Sequence, residues 1–212
     1  MRRVVTIAVI VVVVIVAAIL LTAPRRPNLS RYEALRKPRI VTMNDQKMLI
    51  VQAKGDPNVA GQKAFSLLLR TYYRMKGVPK GAKAPAPRAR WPQSFGTPKS
   101  EWVGLYGMPI PEKVTSLPSY KVEPGLNMEL ATWEYGDVAE ILHIGPYDKE
   151  TADADALKQF VKEQGYEVAG PHEEEYVKGP GMFFRGNPEK YYTVIRYRVR
   201  KATVPGAVDT TA

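Results

Sequence analysis

Three consecutive glutamates, Glu173, Glu174 and Glu175, precede Tyr176 in a segment, residues 169–180, that has the pattern of a short β-strand between two Gly-Pro turns. Side chains two positions apart share a strand face, so Glu174 and Tyr176 point one way and the other two glutamates the opposite way. A carboxylate beside an aromatic ring and shielded from water attracts a lipophilic cation, and desolvation raises its pKa. The same pair could activate water, the glutamate taking the proton and the hydroxyl steadying a leaving group.

Other chemistries have little support in the sequence. It contains no cysteine, which excludes disulfides and thiolate metal sites. Its two histidines are far apart, so we expect no metal and no cofactor; His143 should be a hydrogen-bonded structural residue and His172 should be exposed in a Gly-Pro turn. There is no Ser/His/Asp set, phosphate-binding loop or nucleic-acid-binding motif, so no nucleic-acid partner is expected.

An uncharged apolar run occupies residues 4–23. At about 1.5 Å per residue it would reach roughly 30 Å, the thickness of a bilayer core, which predicts a transmembrane helix. A cleaved signal peptide is the alternative, although its apolar region would normally be about 7–15 residues long. We therefore predict a single-pass membrane protein divided into an anchor (1–23), a basic linker (24–38), a folded domain (39–201) and a disordered tail (202–212).

Positive charge is concentrated next to this apolar run. Residues 25–121 contain 19 lysines and arginines but 5 acidic residues, whereas residues 122–212 are acidic overall. The positive-inside rule favours the cytoplasmic side for the domain, although Arg2 and Arg3 could instead stay inside and send it outward. The basic half suits attraction to anionic lipid headgroups, and a merely solvated surface is the alternative.

The same pattern of elements occurs twice along the remaining chain. Residues 47–54 alternate like a strand and are followed by a turn at Gly55 and a helix that Asn58 would cap. Residues 138–144 form a second such strand, followed by a Gly-Pro turn and a helix that Asp148 would cap. Each copy closes with a further strand, and the two copies are 90 positions apart, so the pattern predicts two halves related by a pseudo-two-fold axis.

The predicted helices have apolar stripes, formed by Phe65, Leu68, Leu69, Tyr72 and Met75 in the first and by Ala154, Leu157, Phe160, Val161 and Gln164 in the second. The last strand, residues 192–200, alternates apolar side chains with arginines, which predicts one buried and one wet face. Residues 77–99, between the first helix and its closing strand, are rich in Pro, Gly and Lys and are predicted to be a mobile surface loop.

The second copy resembles the GyrI-like small-molecule-binding domain. The motifs that carry this resemblance follow one another in the expected order: His143-Ile144-Gly145-Pro146-Tyr147, Gly165-Tyr166, Gly170-Pro171 and Glu174-Glu175-Tyr176. It extends over roughly residues 39–201, and residues 77–99 depart from the compact members of the family. The resemblance implies an α+β fold, in which a duplicated strand-helix-strand-strand module forms an antiparallel sheet with two helices, here preceded by the transmembrane helix.

The resemblance also implies a function. GyrI-like domains bind bulky amphipathic or cationic small molecules in a groove lined by an acidic residue and aromatics, and some hydrolyse strained-ring toxins. A membrane adaptor that binds a protein partner is a third alternative, and the oligomeric state is left open. The family pattern places Glu174 in the groove, whereas Glu173 and Glu175 are expected to form a solvated edge.

The residues expected to bind the ligand are Glu174, Tyr176, Tyr147, Trp102, Tyr106 and Trp133, with Glu174 and Tyr176 as the catalytic candidates if the protein is a hydrolase. A core role is the alternative for the aromatic residues among them, since aromatic side chains in strands are commonly buried.

Overall fold

The computed structural model describes residues 29–93, 96–121, 123–179 and 186–203. Among these residues, every helix is too short or too polar to cross a bilayer. The predicted anchor, residues 4–23, lies outside the described ranges, as does most of the predicted tail, residues 202–212.

The described residues form an antiparallel sheet with helices. The strands are β1 Arg39–Met43, β2 Gln46–Lys54, β3 Arg88–Trp91, β4 Val103–Pro109, β5 Leu126–Trp133, β6 Gly136–Ile144, β7 Tyr166–Val168, β8 His172–Lys178 and β9 Tyr192–Lys201. The helices are α1 Ser30–Glu33, α2 Pro57–Arg74 and α3 Thr151–Glu163. The strand order is β1-β6-β9-β8-β3-β4-β2-β5, and β7 pairs with β9. The fold is therefore α+β, as predicted.

The sheet order shows the duplication that the sequence pattern predicts. One unit is β2-α2-β3-β4 and the other is β6-α3-β8-β9, and the two units meet where β3 pairs with β8. The strand preceding each unit pairs with the other unit, because β1 lies beside β6 and β5 lies beside β2. The order is thus equivalent when counted from either end, as a pseudo-two-fold relation requires.

The prediction that residues 77–99 form only a mobile surface loop is wrong. This segment contains β3, which pairs with β4 on one side and β8 on the other. Ala89 and Trp91 of this strand are buried. The strand has only four residues inside a Pro-rich segment, so local composition masks it, and it is stabilised by hydrogen bonds to two neighbouring strands.

Both long helices begin at other residues than predicted. Asp56, rather than Asn58, caps α2, because its side chain accepts a hydrogen bond from the Asn58 backbone and Pro57 occupies the first helical turn. Helix α3 begins after Glu150, and Asp148 lies in the preceding 3-10 turn. Most residues of the two predicted stripes are buried or half-buried, but Leu69 and Gln164 are exposed, and Gln164 lies just after the end of α3.

Helix α1 lies within the predicted basic linker. Together with the 3-10 turn Ala34–Arg36 it buries Tyr32 and Leu35 against Leu142 and Val194. These two sheet residues alternate with residues that pack on α3, so α1 covers the face of the sheet opposite the long helices. Part of the predicted linker is therefore packed on the domain.

A network of buried ion pairs lies on that same face and overturns the expectation of a solvated edge. Glu173 is 2% exposed and Glu175 is 8% exposed. Both glutamates are covered because β8 is a central strand. Its neighbours β3 and β9 supply arginines in register: Arg90 Nε lies 2.7 Å from Glu173 Oε2, and Arg196 Nη1 lies 2.7 Å from Glu175 Oε2.

Arg196 is the centre of this network. Its Nε donates to Glu140 Oε2 at 2.9 Å, and its Nη1 also lies 3.6 Å from Glu173 Oε1, so one buried guanidinium pairs with three carboxylates. Burial alone would raise the pKa of Glu175, but the charge of Arg196 holds that pKa below its usual value. The predicted wet face of β9 is therefore wrong at Arg196, because β8 and β6 on either side place carboxylates against it.

We expect Arg196→Ala to lower the free energy of unfolding by about 3–5 kcal/mol, because removing one partner of a buried pair leaves uncompensated charges. Arg200→Ala is the matched control on the same strand. The Arg200 side chain is 70% exposed and pairs with Glu167, so this variant should cost at most about 1 kcal/mol. Urea denaturation of both variants measures the difference. Equal losses would contradict the network described here.

Candidate functional site

Glu174 and Tyr176 lie on the helix-bearing face of the sheet, between the two long helices. Helix α2 packs against β2 and β4, and α3 packs against β6, β7 and β9, so β3 and β8 lie between them. In the register of the sheet, Glu174 is flanked by Ala89 of β3 and Ile195 of β9. Glu174 is only 5% exposed, so its carboxylate must find its partners within the protein.

Three side chains contact the Glu174 carboxylate. The indole N–H of Trp91 donates to Oε1 at 2.6 Å. The Tyr176 hydroxyl donates a further hydrogen bond. His172 Nε2 lies 3.3 Å from Oε1. Because His172, Glu174 and Tyr176 are at alternate positions of β8, strand geometry alone places all three on one face.

His172 is buried, contrary to the expectation that it is exposed. It is the first residue of β8 rather than part of the preceding turn, and its Nδ1 lies 2.8 Å from the Tyr197 hydroxyl. Its Nε2 lies 3.7 Å from Oε1 of Glu150, the residue directly before α3. The ligand-type atoms of Glu150, His172 and Glu174 all lie within 4.8 Å of one another. We call these three residues the carboxylate–histidine cluster.

The pKa of each member of the cluster is shifted by burial and by the other two members. Burial, followed by the charge of Glu174, raises the pKa of Glu150 to about 7. Burial would lower the pKa of His172, but hydrogen bonds with Glu150 and Glu174 outweigh it and raise that pKa to about 9. Burial would raise the pKa of Glu174, but the hydrogen bond and charge of His172 hold it below its usual value. At neutral pH the cluster is an imidazolium beside an ionised Glu174.

Aromatic rings surround the cluster. Tyr176 is in edge contact with Tyr147 at 5.4 Å and with Phe65 of α2 at 5.5 Å between ring centroids. Tyr106 contacts Phe65 at 4.9 Å and Trp91 at 5.6 Å. Helix α2, the 3-10 turn before α3 and strands β3, β4 and β8 thus contribute to one aromatic wall. Burial within this wall raises the pKa of the Tyr176 hydroxyl well above its usual value and keeps it protonated.

Three glycines make room for this wall. A Cβ at Gly104 would lie 2.6 Å from the Tyr106 ring, and one at Gly61 of α2 would lie 2.9 Å from the Tyr106 hydroxyl oxygen. At the other end of the wall, a Cβ at Gly179 would lie 2.5 Å from the Tyr147 hydroxyl oxygen. The tyrosines can therefore take these positions only beside glycine.

The structure brings most of the sequence-predicted site residues together. Tyr176, Tyr147 and Tyr106 belong to the aromatic wall around Glu174, and Trp102 joins it through Trp91 at 5.4 Å between ring centroids. Trp133 does not join it. It belongs to the apolar cluster on the opposite face, where Arg90 lies 4.3 Å over its ring.

Sequence reasoning missed three members of the site, Trp91, His172 and Glu150. Trp91 lies in the segment predicted to be a loop, although the alternation of small or aromatic residues with arginine in "RARW" is a strand signal. His172 has the same alternation as Glu174, but the sequence analysis places it in the Gly-Pro turn and not in the strand. Glu150 carries no local signal that it faces β8, because an acidic residue at the start of a helix is ordinarily explained by the helix dipole.

A cavity of about 200 Å³ lies away from this site, on the opposite face of the sheet. It is lined by Arg90, Thr132, Glu134, Tyr135, Val138, Pro171, Glu173, Arg196 and Arg198. Its guanidinium groups already have acceptors, since Arg90 pairs with Glu173 and Arg198 donates to the Ala169 carbonyl. The cavity is thus an extension of the buried ion-pair network.

Solved structures with a similar fold are known, although their sequences differ from this one. No protein-family model and no curated protein matches the sequence. Among solved structures, a hydrolase from Listeria innocua is 21% identical, with a TM-score of 0.59 over 78% of this chain and 92% of that one. A second Listeria innocua hydrolase is 19% identical, with a TM-score of 0.62 over 82% and 96%.

The C-terminal domain of EcmrR is also similar, at 14% identity and a TM-score of 0.56 over 78% of this chain and 98% of that one. The chain has a GyrI-like fold. At these identities the likeness is one of fold. The chemistry of this chain must therefore be argued from the carboxylate–histidine cluster and the aromatic wall.

The raised pKa of His172 predicts a pH-dependent stability. A histidine whose pKa is about 6.5 when unfolded and about 9 when folded contributes stability below pH 6.5 that is lost as the pH rises towards 9. We expect the free energy of unfolding to fall by on the order of 1–3 kcal/mol across this window. His172→Gln should flatten that part of the profile. Parallel profiles for the two proteins, measured by urea denaturation, would show that His172 is not charged in the folded state.

Proposed function

We propose that this protein binds an amphipathic or cationic small molecule in the groove between α2 and α3, with Glu174 as the anionic partner. The observation that carries the proposal is a buried carboxylate enclosed by aromatic rings. Glu174 is held in the ionised form, and Trp91 and Tyr176 contact it directly. A lipophilic cation suits such a site because its apolar groups pack on rings while its charge meets the carboxylate.

The charge of the cluster favours a cation over an anion. Two carboxylates face one imidazolium within 4.8 Å, so with Glu150 ionised the cluster carries a net negative charge. In an apolar environment this imbalance attracts a positive group more strongly than it would in water. The arginines on the opposite face do not cancel it, because they are paired with Glu173, Glu175 and Glu140.

A ligand must displace aromatic side chains to reach Glu174. Tyr147 is the candidate gate, because it lies in the 3-10 turn before α3 and its ring lies between those of Tyr176 and Tyr191. Rotation of its ring would uncover Tyr176 without moving a helix. We therefore place the entrance at Tyr147.

Hydrolysis of a strained-ring electrophile is the second candidate, favoured by the two carboxylates of the cluster. Glu174 has three partners, whereas Glu150 Oε2 is buried without a hydrogen-bond partner among the described residues. Carboxylates in such unlike surroundings suit acid–base chemistry. Glu174 would take a proton from a water molecule while the water oxygen attacks a ring carbon and a ring bond breaks. The proton would then pass from Glu174 to the atom that received the electrons of the broken bond. The Tyr176 hydroxyl would stabilise that atom by a hydrogen bond.

The membrane location belongs to the proposal and rests on the sequence of residues 4–23. Only residues 24–28 separate this apolar run from Leu29, the first described residue. Helix α1 packs on the domain directly afterwards. An anchored chain would therefore hold the groove-bearing domain close to the bilayer, and the basic residues after the run favour the cytoplasmic side.

Substitution of Glu174 tests the binding proposal. Glu174→Gln keeps the shape but removes the charge, so it should weaken binding of tetraphenylphosphonium by about 1–3 kcal/mol, roughly 5- to 150-fold. Binding of the neutral triphenylphosphine oxide should change much less. Calorimetric titration of the full-length protein in mild detergent measures both. Because the variant also removes a partner of His172, circular dichroism must show that it is folded at the temperature used.

Glu129→Gln is the control, since Glu129 is an exposed carboxylate on β5. Equal effects of Glu129→Gln and Glu174→Gln on cation binding would exclude a direct role for Glu174. Addition of water to an activated cyclopropane is measured by mass spectrometry. If Glu174→Gln leaves cation affinity intact but abolishes this reaction, the proposed binding function is wrong and the hydrolase function replaces it.

The anchor predicts that the full-length protein stays with membranes through alkaline carbonate washing, whereas a chain beginning at residue 28 does not. Release of the full-length protein by carbonate would exclude the anchor. Protease added to intact cells should leave the domain uncut if it lies on the cytoplasmic side. Digestion under those conditions would place the domain outside.

A further inference from the structure

The carboxylate–histidine cluster consists of groups that bind metal ions. Glu150 contributes a carboxylate from the start of α3, and β8 contributes the His172 imidazole and the Glu174 carboxylate. One ligand-type atom from each lies within 4.8 Å of the other two. Imidazole nitrogen and carboxylate oxygen are the usual protein ligands of Zn²⁺ and related divalent ions when no cysteine is present.

The spacing of these atoms fits an ion between them. His172 Nε2 lies 3.3 Å from Glu174 Oε1 and 3.7 Å from Glu150 Oε1. Ligand bonds of about 2.0–2.2 Å in a tetrahedral site separate neighbouring ligand atoms by about 3.3–3.6 Å. The two distances from Nε2 to the carboxylate oxygens are therefore close to those between neighbouring ligands of one metal ion, which would take the place of the Nε2 proton.

The surroundings of the ligands also suit a metal. His172 Nδ1 is hydrogen-bonded to the Tyr197 hydroxyl at 2.8 Å, which fixes the ring and directs Nε2 towards the carboxylates. When Nδ1 carries the proton of this bond, Nε2 presents a lone pair to the cluster. Trp91 holds the Glu174 carboxylate from the other side. Such outer hydrogen bonds orient the ligands of protein metal sites.

Glu150 supplies an independent observation. The residue is 9% exposed, and its Oε2 is buried without a hydrogen-bond donor in the part of the chain that the structure describes. A buried carboxylate oxygen without a donor destabilises the folded state. A cation bound by this carboxylate would remove that cost.

We propose that Glu150, His172 and Glu174 bind one divalent transition-metal ion such as Zn²⁺, with a fourth position left for water or a ligand atom. This inference goes beyond the proposed function and does not rest on it. Because the metal would neutralise Glu174, the metal and an organic cation are competing occupants of the same groove.

Cobalt substitution tests the site. The full-length protein, without an affinity tag, is treated with chelator in mild detergent and titrated with Co²⁺. We expect the visible absorption bands of four-coordinate Co²⁺, saturating at one ion per chain and removed by Zn²⁺. Glu150→Gln and His172→Gln should each weaken Co²⁺ binding about 100-fold or more, and Tyr197→Phe, which loses only an outer hydrogen bond, should weaken it about 10-fold.

Glu167→Gln is the control, because Glu167 is a half-exposed carboxylate on β7 that pairs with Arg200. It should bind Co²⁺ like the parent. Glu150→Gln is the decisive variant, since removing a desolvated carboxylate should leave the metal-free fold intact. The absence of visible bands, or bands that persist unchanged in both folded ligand variants, would overturn the proposal.

Competition separates this inference from the proposed function. Zn²⁺ should weaken tetraphenylphosphonium binding at least 10-fold. If tetraphenylphosphonium binds and Zn²⁺ does not, the metal site is wrong and the organic-cation site stands. If Zn²⁺ binds and no organic cation does, the metal site stands alone. If Zn²⁺ and tetraphenylphosphonium bind simultaneously with unchanged affinities, Glu174 cannot be a ligand of both, and the metal site as described is wrong.

Discussion

The pairing of β3 with β8 at the centre of the sheet is the constraint on which the rest of this structure depends. It joins the two units, and it buries three consecutive glutamates on a strand that has neighbours on both sides. Buried carboxylates must be paired or hydrogen-bonded, because transfer of an isolated charge out of water is very costly. Both faces of β8 therefore require compensating groups, and the two faces obtain them differently.

On the face that α1 covers, compensation comes from arginine. Arg90 and Arg196 on the flanking strands stay charged at any physiological pH and pair with Glu173 and Glu175 through short contacts. Such a network is closed, because each carboxylate already has a permanent partner. It contributes to the specificity of strand pairing and leaves little affinity for a further ligand.

On the helix-bearing face, Glu174 is compensated by a histidine, an indole and a tyrosine hydroxyl. These partners either lack a formal charge or can lose it, so the positive charge that Glu174 requires can be exchanged for another cation. Glu150 adds a second carboxylate that has no permanent counterion there. This difference between the two faces, rather than the presence of glutamate itself, is the reason that the helix-bearing face is the candidate ligand site.

Local patterns in the sequence were sufficient for most of the elements. Strands β2, β6 and β9 and both long helices follow from periodicity, because side chains at period 2 or 3.6 must share a face whatever surrounds them. The same rule correctly paired Glu174 with Tyr176. Periodicity did not predict strand β3, because four residues between prolines are too few to show a pattern. The stability of β3 comes from partner strands that are distant in sequence.

The sequence by itself determined the duplication, the alternation along β8 and the types of residue available for chemistry, since these depend only on neighbours along the chain. Only the tertiary structure decided that Glu173 and Glu175 are buried, that Trp91 reaches Glu174, and that Glu150 faces His172. The physical reason is that burial and charge pairing depend on which strands lie side by side. Strand order, here the meeting of β3 with β8, is set by contacts between distant segments that no local pattern records.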